Sequence, residues 1–277
     1  MKQLINLSPG QLASSIVKFL NWIIITLVIS SCQKVIDINL NSSAPKLVVE
    51  GNVNNCPGPY VIKLSRTTNF FDNNFFQPVN GTTVILADNA GNQEVLNEKT
   101  PGIYSTANLK GTIGRSYTLY FSDQGQNFSA TQNMMDTVAI DSMSYHLRIL
   151  NSKSRYNITC SFTDPASNRN YYGFRVYHNR ALTTNVVENR LITDQLSNGG
   201  AFHIDFSRED WIKNDTIGIE LIAFNKSAYD FYNTLQQTLA SGSPFSAPPA
   251  NPYTDINNGA LGFFGAFAIT SSTIVLR

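Results

Sequence analysis

Three patterns in this chain place reactive or ligand-binding residue types at spacings that matter. The first is Ile29-Ser30-Ser31-Cys32. An aliphatic residue, two small residues and a cysteine form a lipobox. The small residues let the backbone enter a signal peptidase, and the Cys32 thiol takes a diacylglyceryl group. The second is His203 and Asp205 in Phe202–Phe206. On a strand these side chains share a face, so the pair is placed to hydrogen-bond. A hydrolase would also need a Ser or Cys nucleophile beside the imidazole. Neither G-x-S-x-G nor H-E-x-x-H occurs, and solvent-facing strand residues are the plainer reading. The third is Phe70-Phe71-Asp72-Asn73-Asn74-Phe75-Phe76. Four rings flanking a polar turn on a loop are suited to gripping a partner, or to stacking on a sugar or peptide. Folding back to plug one end of a β-sandwich is the competing reading.

Weaker signals surround these. Asp136-Thr137-Val138, Asp141-Ser142-Met143 and Asp215-Thr216-Ile217 fit a short bacterial O-glycosylation pattern, which makes Thr137, Ser142 and Thr216 candidate acceptors. Asp72–Asn74 and Asp164–Asn170 offer oxygen ligands without the spacing or bidentate Glu of a calcium loop. His146, His178 and His203 are too scattered to set a metal-ligand spacing, so no metal or other cofactor is expected. Gly259–Ala266 is glycine-rich, but no Lys-Ser/Thr follows to make a phosphate loop; close backbone packing against a sheet explains it better. Cys56 and Cys160 are too few for a disulfide scaffold, and nothing in the sequence brings them together.

The elements that would hold these groups are short strands. Before the lipobox, the apolar run Phe19–Ile29 is too short for the roughly 20 residues of a membrane span and fits a signal-peptide core. Residues 1–31 are therefore expected to be a lipoprotein signal peptide, and 32–44 a lipidated tether ending in Asn41-Ser42-Ser43-Ala44. Cleavage before Cys32 leaves 246 of the 277 residues, with a net charge of −1 once Lys2 and Lys18 are lost. From Lys46 onward, strand patterns recur about every ten residues between Gly, Asn and Pro turns. Residues 45–134 read as a β-sandwich domain, and 135–277 as a second β-rich domain. One helix stands out at Ser227–Ala240, with Ser227 and Asp230 as a variant capping box. Leu261–Phe267 and Thr273–Leu276 read as closing strands. The fold class is all-β. The composition agrees, with 42% apolar residues, only 14% charged and 31 asparagines. Near-zero net charge without a Lys/Arg cluster argues against a nucleic-acid partner.

Several segments together resemble the Bacteroidetes lipoprotein family filed as domain of unknown function 4249. They are Cys32 with the tether VIDINL, Lys46–Gly51, Pro78–Gly81, Gly102-Ile103-Tyr104, Asp164-Pro165 with Asn170-Tyr171-Tyr172, Ala228–Tyr232 and Asn257–Ala266. Thr82 departs from the family, which more often has Ala there. The resemblance implies an Ig-like, carboxypeptidase-regulatory-like first sandwich. It also implies an outer-membrane lipoprotein found beside a TonB-dependent receptor, facing the periplasm or the surface. No catalytic or ligand-binding residue comes with it. The resulting expectation is a non-enzymatic, membrane-anchored accessory or ligand-binding protein. The alternatives are a structural envelope lipoprotein without a ligand and, least favoured, a secreted hydrolase using His203 and Asp205.

Overall fold

Alternation of apolar and polar residues sets most of this structure. Ile62 and Leu64 in Val61–Arg66, and Tyr117, Leu119 and Phe121 in Ser116–Asp123, are buried while the residues between them are not, as a strand with one face on a core requires. The computed structural model describes residues 17–22, 44–68, 76–150, 153–186, 190–240 and 251–277. Residues 17–22 are helical (α1) and belong to a separate unit of residues 1–43; residues 44–277 form one compact unit. No described helix is long and apolar enough to cross a membrane.

The compact unit is mostly β. Its first strands are β1 (Leu47–Asn54), β2 (Val61–Arg66), β3 (Gln77–Pro78), β4 (Val84–Asp88), β5 (Gln93–Val95), β6 (Asn97–Thr100), β7 (Ile103–Ser105), β8 (Ser116–Asp123) and β9 (Gln126–Asn133). Then come β10 (Ile140–Leu150), β11 (Lys153–Thr163), β12 (Tyr171–His178), β13 (Ala181–Thr184), β14 (Ile192–Thr193), β15 (Ala201–Ser207) and β16 (Thr216–Phe224). Helix α2 (Lys226–Ala240) and strand β17 (Leu261–Val275) close the chain order. One sheet runs β13-β12-β16-β17-β1-β2-β7-β6, with β14 on β12 and β3 on β2. Two smaller sheets, β5-β4-β8-β9 and β10-β11-β15, complete the set.

β17 joins the two halves. The sequence suggests two closing strands, but the structure has one of 15 residues. Its first half runs parallel to β1, from Val48↔Leu261 to Asn54↔Phe267. Its second half runs antiparallel to β16, from Ala223↔Ala268 to Thr216↔Val275. Gly262 makes the first pairing possible: its φ is +87°, and a Cβ there would lie 2.0 Å from the Val49 carbonyl oxygen. This is the close backbone approach expected of the glycine-rich segment.

β17 is also buried on both faces. Phe264, Ala266 and Ala268 enter the main core with Val49, Leu64, Leu119, Phe162, Phe174 and Ile219. Phe263, Phe267 and Ile269 face the other way and join Ile222, Phe224 and Ala228 in a second cluster. Helix α2 covers that outer face. Phe231 stacks on Phe263 with ring centroids 4.8 Å apart, and Tyr232 meets Phe224 at 5.3 Å. Gly265 leaves room for the Phe267 ring, which a Cβ would meet at 2.3 Å.

The helix cap differs from the expected one. Asn225, not Ser227, caps α2: its Oδ1 accepts from the Ala228 N–H at 2.9 Å. Asp230 instead pairs with Lys226 one turn back. The Asn225 side-chain amide also donates to Gln132 Oε1. Gln132 Nε2 donates to Asp255 at 2.7 Å, and Asp255 accepts from the Phe264 N–H at 3.1 Å. This chain ties β9, the helix start and the entry to β17 together. Burial pushes the Asp255 carboxyl up to about 6, only partly offset by those two bonds.

Candidate functional site

The β10-β11-β15 sheet carries the expected His203/Asp205 pair on its exposed face, but the two side chains bond across strands. Register places Ser161 opposite His203 and Thr159 opposite Asp205. Ser161 Oγ lies 2.8 Å from His203 Nδ1, and Thr159 Oγ1 donates to Asp205 at 2.6 Å. Thr163 donates to Asp141 on the next rung. A Ser–His contact is the start of a nucleophile–base pair. Here the acid sits one rung away on a threonine rather than orienting the imidazole, and Ser161 and His203 lie on an open sheet face. The arrangement acts as a hydrogen-bonding ladder. Ser161 escaped sequence reading because only strand register brings it to His203.

Of the aromatic loop, Phe76 is described and is 69% exposed; Phe70, Phe71 and Phe75 lie outside the described residues, as do Cys32 and Asp72–Asn74. Thr137 and Ser142 are exposed. Thr216 is half-buried in β16, with its N–H on Asn179 Oδ1. Cys56 and Cys160 are free thiols, and burial raises Cys160 to about 11, which leaves it protonated and unreactive.

Asp164 is only 2% exposed, but donors rather than a cation occupy it. Tyr172 Oη, Asn170 Nδ2 at 3.0 Å and the Gly199 N–H at 2.9 Å all donate to its carboxylate. Burial and the Asp164 contact together push the Tyr172 hydroxyl well above its usual range. The Asp-Pro and Asn-Tyr-Tyr segments are thus two ends of one buried staple. Among the described residues no three His, Cys, Asp or Glu side chains converge as metal ligands.

A cavity of about 580 Å³ lies beside the β4–β5 turn, lined by Asp88, Glu94, Lys110 and Arg115 among others. Its acids are occupied by structure. Asp88 pairs with Arg115 at 2.7 Å. Glu94 accepts the N–H groups of Ala107, Asn108 and Leu109, which outweigh burial and hold its carboxyl below the usual range.

A second cleft, of about 360 Å³, is lined by residues of β12, β13, β15 and the loop that follows β15. That loop is strapped in place. Arg208 Nε donates to Asp210, and Arg208 Nη1 donates to the Thr183 carbonyl. His178 Nε2 lies 2.7 Å from Asp215 Oδ2. Burial opposes ionisation of Asp215. The bonds from the Ile212 N–H, Asn179 and His178 outweigh it and hold the carboxyl below its usual range. The strap presses Trp211 into the core, 2% exposed, with no acceptor for its indole N–H among the described residues. Sequence reading passed over Trp211 because a lone tryptophan in a loop carries no spacing signal.

Comparison with known proteins adds a family. No curated protein matches the sequence. Among solved structures, a chain titled "Cytokine receptor complex - Crystal form 1A" aligns at 10% identity over 66% of this chain and 86% of that one. Its TM-score of 0.20 is too low to assign a shared fold. A family model described as "Domain of unknown function (DUF4249)" matches residues 33–273, nearly all of the sequence after Cys32. The chain belongs to that family.

Proposed function

We propose that this protein is an outer-membrane-anchored lipoprotein, held by acyl chains on Cys32, that serves as a non-catalytic accessory or ligand-binding partner of a TonB-dependent receptor. The observation that carries the reading is the placement of the lipobox. Cys32 precedes the compact unit, which begins at Ala44, by twelve positions. At about 3.3–3.6 Å per extended residue, such a tether reaches roughly 40 Å, enough to hold a β-sandwich unit beside a membrane barrel. Two or more acyl chains give stable anchoring where one gives marginal binding. The open sheet face with its Ser161–His203 and Thr159–Asp205 rungs offers hydrogen-bonding surface rather than a reaction cleft, which favours binding over hydrolysis.

The test is a mild-detergent pull-down from outer membranes with a C-terminal tag, with Cys32→Ala as control. The expected result is a stoichiometric outer-membrane barrel with the wild type and a soluble Cys32→Ala variant. A wild type that fractionates with the membrane and brings nothing down overturns the receptor partnership and favours a structural envelope role. A Cys32→Ala variant that stays in the membrane overturns the anchoring.

A further inference from the structure

A bare strand edge offers N–H and C=O groups to any extended chain, and folded proteins keep such edges short, bent or covered. Most edges here follow that rule. β13 and β6 have four residues and β5 has three. β9 is covered by the loop before β17: Asn257 Oδ1 accepts from the Ser129 N–H, and the Asn257 N–H donates to the Ser129 carbonyl. β15 runs straight into the Arg208 strap. β10 is the exception. It has 11 residues, pairs only with β11, and holds one register from Ser142 to Leu150. It contains neither Pro nor Lys. Among the described residues, no bond reaches its outer backbone edge.

The side chains of β10 are unfinished in the same way. Leu147 and Ile149 follow Met143 and Tyr145 along the inner face but stand 52% and 76% exposed. On the outer face, register sets Arg148 directly opposite Arg155. Like charges so placed repel. Arg155 is balanced by Glu209, whereas Arg148 has no acid beside it among the described residues. The acid on this face of β10 is Asp141, which the irregularity between Ile140 and Ser142 brings to Thr163. Seven strand positions, about 23 Å, keep Asp141 and Arg148 of one chain apart. Two antiparallel copies bring them together. We propose that β10 pairs with β10 of a second copy about a two-fold axis at Tyr145, joining two three-stranded sheets into one of six. Ser142 of one copy then faces Arg148 of the other, Met143 faces Leu147, and Ser144 faces His146. Each Arg148 lies beside the Asp141 of the opposite copy, and each Ile149 meets the side of the sheet that holds Ile140. Centring on His146 would oppose two imidazoles and move Arg148 away from Asp141; centring on Leu147 would set Arg148 against His146. An edge pairing of this length belongs with small interfaces, below about 1,200 Å², so the dimer is reversible. The inference needs neither the lipid anchor nor the receptor, so it stands or falls separately from them.

Sedimentation velocity of the full-length protein in mild detergent, from about 1 to about 200 µM, should show a dimer that grows with concentration. Arg148→Glu and Asp141→Arg should each weaken it about tenfold or more, because each turns two attractions across the axis into two repulsions, with unchanged circular dichroism. The double exchange Asp141→Arg with Arg148→Glu should restore it. Disulfide formation reads the register on a Cys32→Ser, Cys56→Ser background. A mixture of Ser144→Cys and His146→Cys chains should cross-link faster than either alone. A monomer at every concentration overturns the inference and leaves the edge to an extended strand of another protein. A dimer that Arg148→Glu leaves intact, or that the double exchange fails to restore, overturns this edge as the interface. A mixture that cross-links no faster than Ser144→Cys alone overturns the register.

Discussion

Asp255 makes stability depend on pH in a direction opposite to that of most carboxylates. Its folded-state carboxyl is raised from 3.8 to about 6, chiefly by burial. A raised acid binds its proton more tightly when folded, so the folded protein loses stability as pH rises through the window between the two values. Below about pH 4 the penalty is absent, and above about pH 6 it is complete. Two pKa units correspond to about 3 kcal/mol; partial solvent access reduces this to about 1–3 kcal/mol. Asp255→Asn removes the charge and keeps one of the two oxygens, so it loses either the Gln132 or the Phe264 bond equally at every pH. Urea unfolding of both proteins from about pH 4 to about pH 7.5 isolates this group, because all other titrations cancel in the difference. The wild type should lose about 1–3 kcal/mol relative to Asp255→Asn as pH rises from about 4 to about 7.5. Parallel profiles, or a wild type that gains on the variant as pH rises, would refute the burial argument.

Other substitutions test the remaining joints. Gly262→Ala forces a Cβ onto the Val49 carbonyl at a positive φ, and should cost more than about 2 kcal/mol by urea unfolding. Asp164→Ala strands the Tyr172 hydroxyl, the Asn170 amide and the Gly199 N–H; a loss of about 3 kcal/mol is expected, measured as a fall in the thermal midpoint. Asn225→Ala removes the α2 cap and should cost about 1 kcal/mol, with faster hydrogen exchange in the first turn of the helix.

The sequence made the β character legible because one-sided burial leaves a period of two, as in Val61–Arg66 and Ser116–Asp123. Helix α2 was legible from Tyr229, Tyr232 and Leu235 at helical spacing, but its cap was not. Ser227 fits a local motif, whereas Asn225 is held by Gln132, 93 positions away. The unity of β17 was hidden for a related reason. Its middle residues are buried on both faces, so the alternation that marks a strand disappears where the strand matters most. The Ser161–His203 contact and the orphan N–H of Trp211 are products of register and of a strapped loop, neither of which a local pattern records.

The position of β17 in the chain has a consequence for how the protein is made. Its first partner, β1, is the earliest strand of the compact unit, and Asn55 holds Ile269 across 214 positions. Until β17 arrives, β1 and β16 each expose an open edge, and the apolar undersides of both halves are unsealed. Contacts this distant form slowly, and open edges invite wrong pairings. If the chain is exported as the proposed function requires, it spends the whole of its passage with neither half closed, and holdase chaperones that shield strand edges should matter most before residue 261 emerges. The same strand makes the two halves rise and fall together, and a protease cut just before Leu261 should unravel both in a single transition.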